Sequence, residues 1–423
     1  MNEGGKSECA CSGRKVLYAA STFGHLRSFH LPYIEALRAD GFDVTLLAGG
    51  DPVAAGMPQG VRCIPADFVK SMSSTRNFAV AREVSRLQLR ERFDIVLTHT
   101  SLAAFFVRLG ILGAVQRDKG ARPRVVNTVH GYLFDADASF PRRAALLAAE
   151  RLCAGVTDQI VVMNRQDAII AREHRLCRGQ VVETPGMGVV LDGLHPASAC
   201  ERASARRALG MRDDAFVCLC VAEFSQRKNQ RLLIEALPNL SERVILALPG
   251  KGSEQQACLN LARELGVEGR VSMPGHLDAA GLALWRAASD VCVSASRYEG
   301  LPFHVVEAFA CGLPAVLSSV KGHVDLVDPS VNGLLFNQGD AAGFCSCVER
   351  LLADPALLVE MGEHAVATSA RYSLSHVFKP LLAVYEGRGA SREVSAAFLA
   401  CAMGSLHMPA TFSPQARHGA ELI

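Results

Sequence analysis

Short apolar runs that read as strands alternate with longer helical segments along nearly the whole chain, and this alternation most constrains its fold. In the first half, strand-like runs fall at 15–21, 43–48, 94–99, 124–129 and 159–163. Helical patterns over 28–39, 76–92, 101–115, 141–154 and 165–175 accompany them. A second series places strands at 216–224, 243–248, 270–273, 290–295, 315–319 and 333–336, with helices at 229–240, 254–265, 279–288, 302–311 and 341–352. Strand–helix–strand order of this kind builds parallel sheets, because each crossover helix returns the chain to start the next strand in the same direction. The stretch ETPGMGVVLDGLHP at 183–196 interrupts the alternation with glycines and prolines and marks a boundary. The sequence therefore predicts two doubly wound α/β domains, 14–195 and 196–370. A flexible segment 1–13 precedes them, and a helix 371–386 packing back toward the first domain and a loosely ordered tail 387–423 follow. A chain of 423 residues exceeds one ordinary core.

Composition removes several function classes. Residues 1–14 are polar and do not read as a signal peptide. The most apolar helical stretch, 102–115, is interrupted by Arg108 and falls short of the roughly 20 residues that span a bilayer. The 14 cysteines are scattered with no CxxC pair, which reads as free thiols, with Cys9 and Cys11 the one close pair near the amino terminus. The 13 histidines form no HxxxH or HExxH, so neither a protein-held metal nor a cofactor is expected. The absence of GxGxxG disfavours a nicotinamide-dependent dehydrogenase. Up to His195 there are 24 Lys and Arg against 19 Asp and Glu, and beyond it 20 against 23, so the first half tolerates an anionic partner better. No strong basic excess or aromatic interleaving suggests nucleic acid.

The most informative segment is ASRYEGLPFHVVEAFACGLPAVLSS, 295–319. It leaves a strand, turns through Glu299-Gly300-Leu301-Pro302 and enters a helix, with Pro302 suited to its first turn. Backbone N–H groups of 300–303 would then meet a diphosphate or a sugar hydroxyl. Glu299 and Glu307, eight residues apart, would line one face as hydroxyl acceptors. A second segment, VAEFSQRKN at 221–229, puts Arg227 and Lys228 in a loop after a strand, with Lys228 a point charge for a diphosphate. A third, Thr128-Val129-His130-Gly131, ends a strand with a histidine able to donate or accept a hydrogen bond. After the first strand comes the loop Ser21–His25, where Gly24 would allow close backbone approach, and His25, Arg27 and His30 follow. Each has a plain structural reading too: carboxylates near a helix start, a solvated basic loop, a histidine packed at a strand end. Arg82, Arg86 and Arg90, the run Arg122–Arg124, and Arg142 with Arg143 read as solvated faces or as contacts to anionic lipid or a lipid diphosphate.

The string EGLPFHVVE followed by AFACGLPAV resembles the E-x7-E signature of the family 4 retaining glycosyltransferases, and the order of motifs matches from about residue 14 to 385. With VLYAASTFGHLRSFHLPYIEALRADGFDV, VAEFSQRKNQRLLIEAL and NTVHGYLF, the likeness is greatest to bacterial capsule and exopolysaccharide members. It implies the α/β GT-B architecture, two Rossmann-like doubly wound domains facing an interdomain cleft. The implied activity moves a sugar from a nucleotide-diphosphate donor, a UDP-sugar, to a saccharide or polyprenyl-diphosphate-linked acceptor with retention of configuration. By the same resemblance Glu299 and His130 are catalytic, with Glu299 at the donor-sugar hydroxyls and His130 at the donor sugar. Lys228, Arg227, Gly300, Leu301, Pro302 and Phe303 hold the diphosphate and sugar, and Glu307 holds the ribose. The turn around His276 meets the base. Gly24 belongs to a donor or acceptor loop, and His25 and Arg27 to the acceptor side. Most relatives have Gly-Arg where this chain has Ala222-Glu223, although exopolysaccharide-type members share the glutamate. No metal or cofactor is implied. The expected location is cytoplasmic, with peripheral contact to the inner membrane leaflet. An epimerase of the same architecture and a non-catalytic nucleotide-sugar-binding partner subunit are the alternative readings.

Overall fold

The computed structural model describes residues 13–69, 71–132 and 139–388, so nearly all of the expected amino-terminal segment and tail lies outside the described residues. The chain divides into two compact units. The first comprises the described residues up to Met187 together with 377–388, and the second spans 188–376. The division falls at the front of the turn-rich connector rather than at 195/196, for a packing reason. Gly188 has φ +80°, and a Cβ there would meet Leu374 Cα at 2.6 Å. Val189 then bridges to Ser373, and Gly312 packs on Pro196, which fixes the connector to the second unit.

In the first unit seven parallel strands form one sheet: β1 (Lys15–Thr22), β2 (Asp43–Gly49), β3 (Arg62–Pro65), β4 (Ile95–His99), β5 (Arg124–Val129), β6 (Gln159–Val162) and β7 (Val181–Glu183). Their order is β3-β2-β1-β4-β5-β6-β7. Val16 to Ala20 of β1 are fully buried, as expected of a central strand covered on both faces. The edge strands β3 and β7 are absent from the sequence reading, being too short to show a pattern. The helix expected at 28–39 is two helices, Phe23–Phe29 and Leu31–Ala39, joined at His30. Pro32 lacks an N–H to continue the first helix but suits the opening turn of the second.

The second unit holds six parallel strands: β8 (Phe216–Leu219), β9 (Val244–Ala247), β10 (Val271–Ser272), β11 (Val291–Ser294), β12 (Ala315–Ser318) and β13 (Gly333–Phe336), in the order β10-β9-β8-β11-β12-β13. β8 ends five residues before the expected 224, where its backbone turns to the loop after β9. There Ala222 N–H donates to Pro249 O and Phe224 N–H to Lys251 O. This close approach requires Gly250 and Gly252, where a Cβ would sit 1.8 Å from Ala222 O and 2.2 Å from Phe224 O. The sequence reading also omits the helices Ala199–Ala208, opened by a Ser198–Glu201 capping box, and Pro355–Ser369, capped by Asp354.

Strand order reverses beside β1 and β4 in one sheet and beside β8 and β11 in the other, so ligand crevices belong at the carboxyl ends of those strands. Among the described residues no helix is long and apolar enough to cross a membrane, and the cysteines are free thiols. Arg108 in the apolar helix Ser101–Arg117 is fully buried and donates to both oxygens of Glu150, at 2.8 and 2.9 Å. Replacing Arg108 by Ala leaves the Glu150 carboxylate buried without its partner and should cost about 3–5 kcal/mol in urea unfolding. The double variant Arg108→Met, Glu150→Leu should recover most of that loss.

Candidate active site

In the second unit, Glu299 leaves β11 in a loop and is 5% exposed, and Lys228 follows β8 and is 9% exposed. Lys228 Nζ donates to Glu299 Oε1 at 2.6 Å and Arg227 Nη1 to Glu299 Oε2 at 2.8 Å, so two cations share one buried carboxylate. Arg227 also reaches Glu223 at 3.2 Å. Glu223 thus pairs with a cation of the same loop, so that loop tolerates an acid there. Burial alone would raise the Glu299 carboxyl, but Lys228 and then Arg227 outweigh it and hold the group well below the usual carboxylate range.

The loop geometry corrects two details. Pro302 caps the helix Phe303–Ala310 instead of standing in its first turn, and as a proline it offers no N–H. Of 300–303, therefore, only Gly300, Leu301 and Phe303 carry a backbone donor. Glu299 and Glu307 also do not share a helix face. Glu299 precedes the helix, and Glu307 lies within it, ion-paired with the buried Arg286 of the helix Ala279–Ala288. His276 is exposed in the turn after β10, beside Gly275, whose carbonyl accepts from Gly250 N–H at 2.8 Å.

Two histidines escaped the sequence reading. Burial drives the His304 ring well below its ordinary pKa, with the nearby Lys228 charge adding to the effect, and burial lowers His323 to about 4. Both are neutral imidazoles around the ion cluster. His323 Nδ1 sits 2.9 Å from Ser318 O, and Nε2 of each ring is buried without a hydrogen-bond partner among the described residues. His304 lies inside the EGLPFH string, where its histidine was the available signal. His323 sits in a later loop that carried none.

In the first unit, Gly24 proves to be an ordinary helical residue. The helix starts at Phe23, Thr22 Oγ1 caps it by accepting from His25 N–H, and the nearest atom to a Cβ at Gly24 is 4.0 Å away. No special backbone conformation requires glycine there. Arg27 donates to Gly56 O at 2.8 Å. His25, His30 and His130 come together with His99 from the end of β4, and the His130 ring centroid stands 5.1 Å from His25, 5.5 Å from His30 and 5.7 Å from His99. Burial lowers all four imidazoles, His25 to about 4, and neighbouring rings lower His30, His99 and His130 further. Of the basic segments, Arg82, Arg86, Arg90, Arg142 and Arg143 are exposed. Arg122 instead pairs with Asp158, and Arg124 donates to Tyr385 O.

Residues 30–186 match the family model described as a glycosyl transferase 4-like domain, and residues 201–367 match glycosyl transferases group 1. The chain is 28% identical over 375 residues to EpsD of Bacillus subtilis, named a glycosyltransferase, covering 88% of this chain and 96% of that protein. It is 30% identical over 331 residues to the D-inositol 3-phosphate glycosyltransferase of Kribbella flavida, covering 72% and 74%. It is 26% identical over 347 residues to the Escherichia coli UDP-Gal:alpha-D-GlcNAc-diphosphoundecaprenol alpha-1,3-galactosyltransferase, covering 77% and 84%. The solved structure of HepE from Anabaena in complex with UDP has a similar fold, with a TM-score of 0.68 at 18% identity, covering 88% of this chain and all of that one.

The Glu299 cluster has a pH signature. A carboxyl with a depressed folded-state pKa contributes stability that is complete above its unfolded value, about 4.3, and is lost as pH falls through the lower folded value. Glu299→Gln should therefore unfold at lower urea than the wild type at pH 7. The gap should narrow progressively below about pH 4, as read by urea melts across pH.

Proposed function

The chain belongs to the family 4 GT-B glycosyltransferases, and on that premise we propose that it transfers a sugar, with retention, from a UDP-sugar to a saccharide or polyprenyl-diphosphate-linked saccharide in surface polysaccharide synthesis. The observation that carries this reading is the pair of cations, Lys228 and Arg227, held at the carboxyl ends of β8 and β11 by the buried Glu299. A nucleoside diphosphate is the leaving group whose charge such a pair meets. As the bond between the sugar C1 and the β-phosphate oxygen breaks, negative charge grows on that oxygen, and Lys228 with Arg227 stabilises it. Relieved of the cations, the Glu299 carboxylate accepts hydrogen bonds from donor-sugar hydroxyls.

The acceptor hydroxyl bonds to C1 from the face the diphosphate leaves and passes its proton to the departing phosphate oxygen. Electrons and protons then balance without a protein nucleophile, and the transfer needs no resident metal. His130, neutral at physiological pH, hydrogen-bonds a sugar hydroxyl or the reacting oxygen. Glu307 accepts from the ribose, main-chain groups of Gly300, Leu301 and Phe303 meet the donor, and the turn at His276 meets the base. His25 and Arg27 face the acceptor. The Escherichia coli relative, named for a UDP-Gal donor and a diphosphoundecaprenol-linked acceptor, supports the donor and acceptor classes. The HepE complexes with UDP support the nucleotide. Exposed Arg82, Arg86, Arg142 and Arg143 support a cytoplasmic enzyme touching an anionic leaflet peripherally.

Calorimetric titration with UDP, GDP and ADP, without added metal, tests the reading. Selective UDP binding is expected, lost in Lys228→Ala, together with a fall in turnover of about 10²–10³ in Glu299→Ala. Equal binding of all three nucleotides would overturn the donor assignment, and unchanged binding and turnover in the variants would overturn the site.

A further inference from the structure

The histidines of the first unit present an electrostatic problem that sugar transfer does not explain. Four uncharged imidazoles are packed together. Nε2 of His25, His30 and His130, and both ring nitrogens of His99, are buried without a hydrogen-bond partner among the described residues. A buried polar group left unsatisfied destabilises the fold, so a cluster of them is a costly arrangement unless something satisfies it.

The Tyr18 hydroxyl orients the His30 ring, lying 3.0 Å from its Nδ1. In the tautomer whose Nδ1–H donates to the Tyr18 oxygen, His30 Nε2 keeps a bare lone pair. A metal-binding imidazole is characteristically oriented in this way, by a hydrogen bond through its other nitrogen. The Tyr18 ring also stacks on His99 at 4.7 Å, which fixes the floor of the cluster.

We propose that His25, His30 and His130 form a three-imidazole site for a divalent transition metal of the zinc class. One ring nitrogen from each lies within 4.8 Å of the others. Tetrahedral zinc sets nitrogen ligands about 3.4 Å apart, so small rotations of the half-buried His25 and His130 rings complete the set. A saccharide hydroxyl donates one proton and can satisfy one lone pair, whereas a cation satisfies three at once. His30 is fully buried and His25 and His130 are half-buried, which gives three protein ligands in a largely enclosed site. The sequence hid this set because its members come from the helix after β1, the following junction and the end of β5, with none of the usual ligand spacings. The inference does not rest on the transfer reading. A metal here occupies the His130 nitrogen that transfer would use, so it acts as an inhibitor of that chemistry.

The test uses the full-length protein stripped with a chelator, titrated with zinc chloride against a competing chromogenic chelator, and loaded with cobalt(II) for its visible spectrum. One zinc per chain is expected, with at least a 100-fold weaker affinity in His25→Gln and His130→Gln. The cobalt spectrum should be tetrahedral and lack a thiolate charge-transfer band. Thermal unfolding of each variant in chelator establishes that it folds, and His25→Gln at the rim carries the test if His130→Gln does not. Failure of the wild type to hold zinc at micromolar concentration, zinc affinity unchanged in the folded variants, or a thiolate band would each overturn the proposal.

Discussion

The second unit is organised around one carboxylate between two cations. Glu299 comes from the loop after β11, and Arg227 and Lys228 from the loop after β8, the two neighbouring strands where the sheet changes direction. Backbone contacts reinforce the junction. Arg297 N–H donates to Arg227 O at 2.8 Å, and Asn229, in the left-handed conformation, donates its side-chain amide to Ala295 O. Without Glu299, two positive charges would be forced together in a site mostly shielded from water. With it, both cations are held paired beyond the carboxyl ends of β8 and β11, where the proposed diphosphate site lies.

The first unit solves a different problem at the equivalent ends of β1, β4 and β5. There the groups are imidazoles and tyrosines, and burial keeps both kinds uncharged: the histidine pKa values fall, and those of Tyr18, Tyr33 and Tyr385 rise. One unit therefore presents fixed charge and the other neutral hydrogen-bonding groups.

The architecture was legible because parallel strands buried on both faces leave contiguous apolar runs, so β1, β5 and β13 could be read almost to the residue. Edge strands β3 and β7 leave no such trace, and β8 was read too long because an apolar run continues through 220–224 while its backbone follows the loop after β9. The ion cluster was half legible. Arg227, Lys228 and Glu299 each stood out in a loop, but their pairing crosses the sheet and no local spacing encodes it. The same holds for Arg286 with Glu307, and more strongly for the histidine cluster, which single-segment motifs cannot register. Pro302 stands one position earlier than expected, at the cap of its helix, and, as a proline, supplies no backbone donor to the loop.

Hydrogen exchange measured with and without UDP tests most directly whether the Lys228–Glu299–Arg227 cluster is the diphosphate site. Slowed exchange on UDP addition is expected in peptides covering 222–230 and 299–304. This protection should vanish in Lys228→Ala while the exchange of β8 and β11 stays at its wild-type level. Protection confined to other segments, or protection at 222–230 and 299–304 that survives the loss of Lys228, would contradict that assignment.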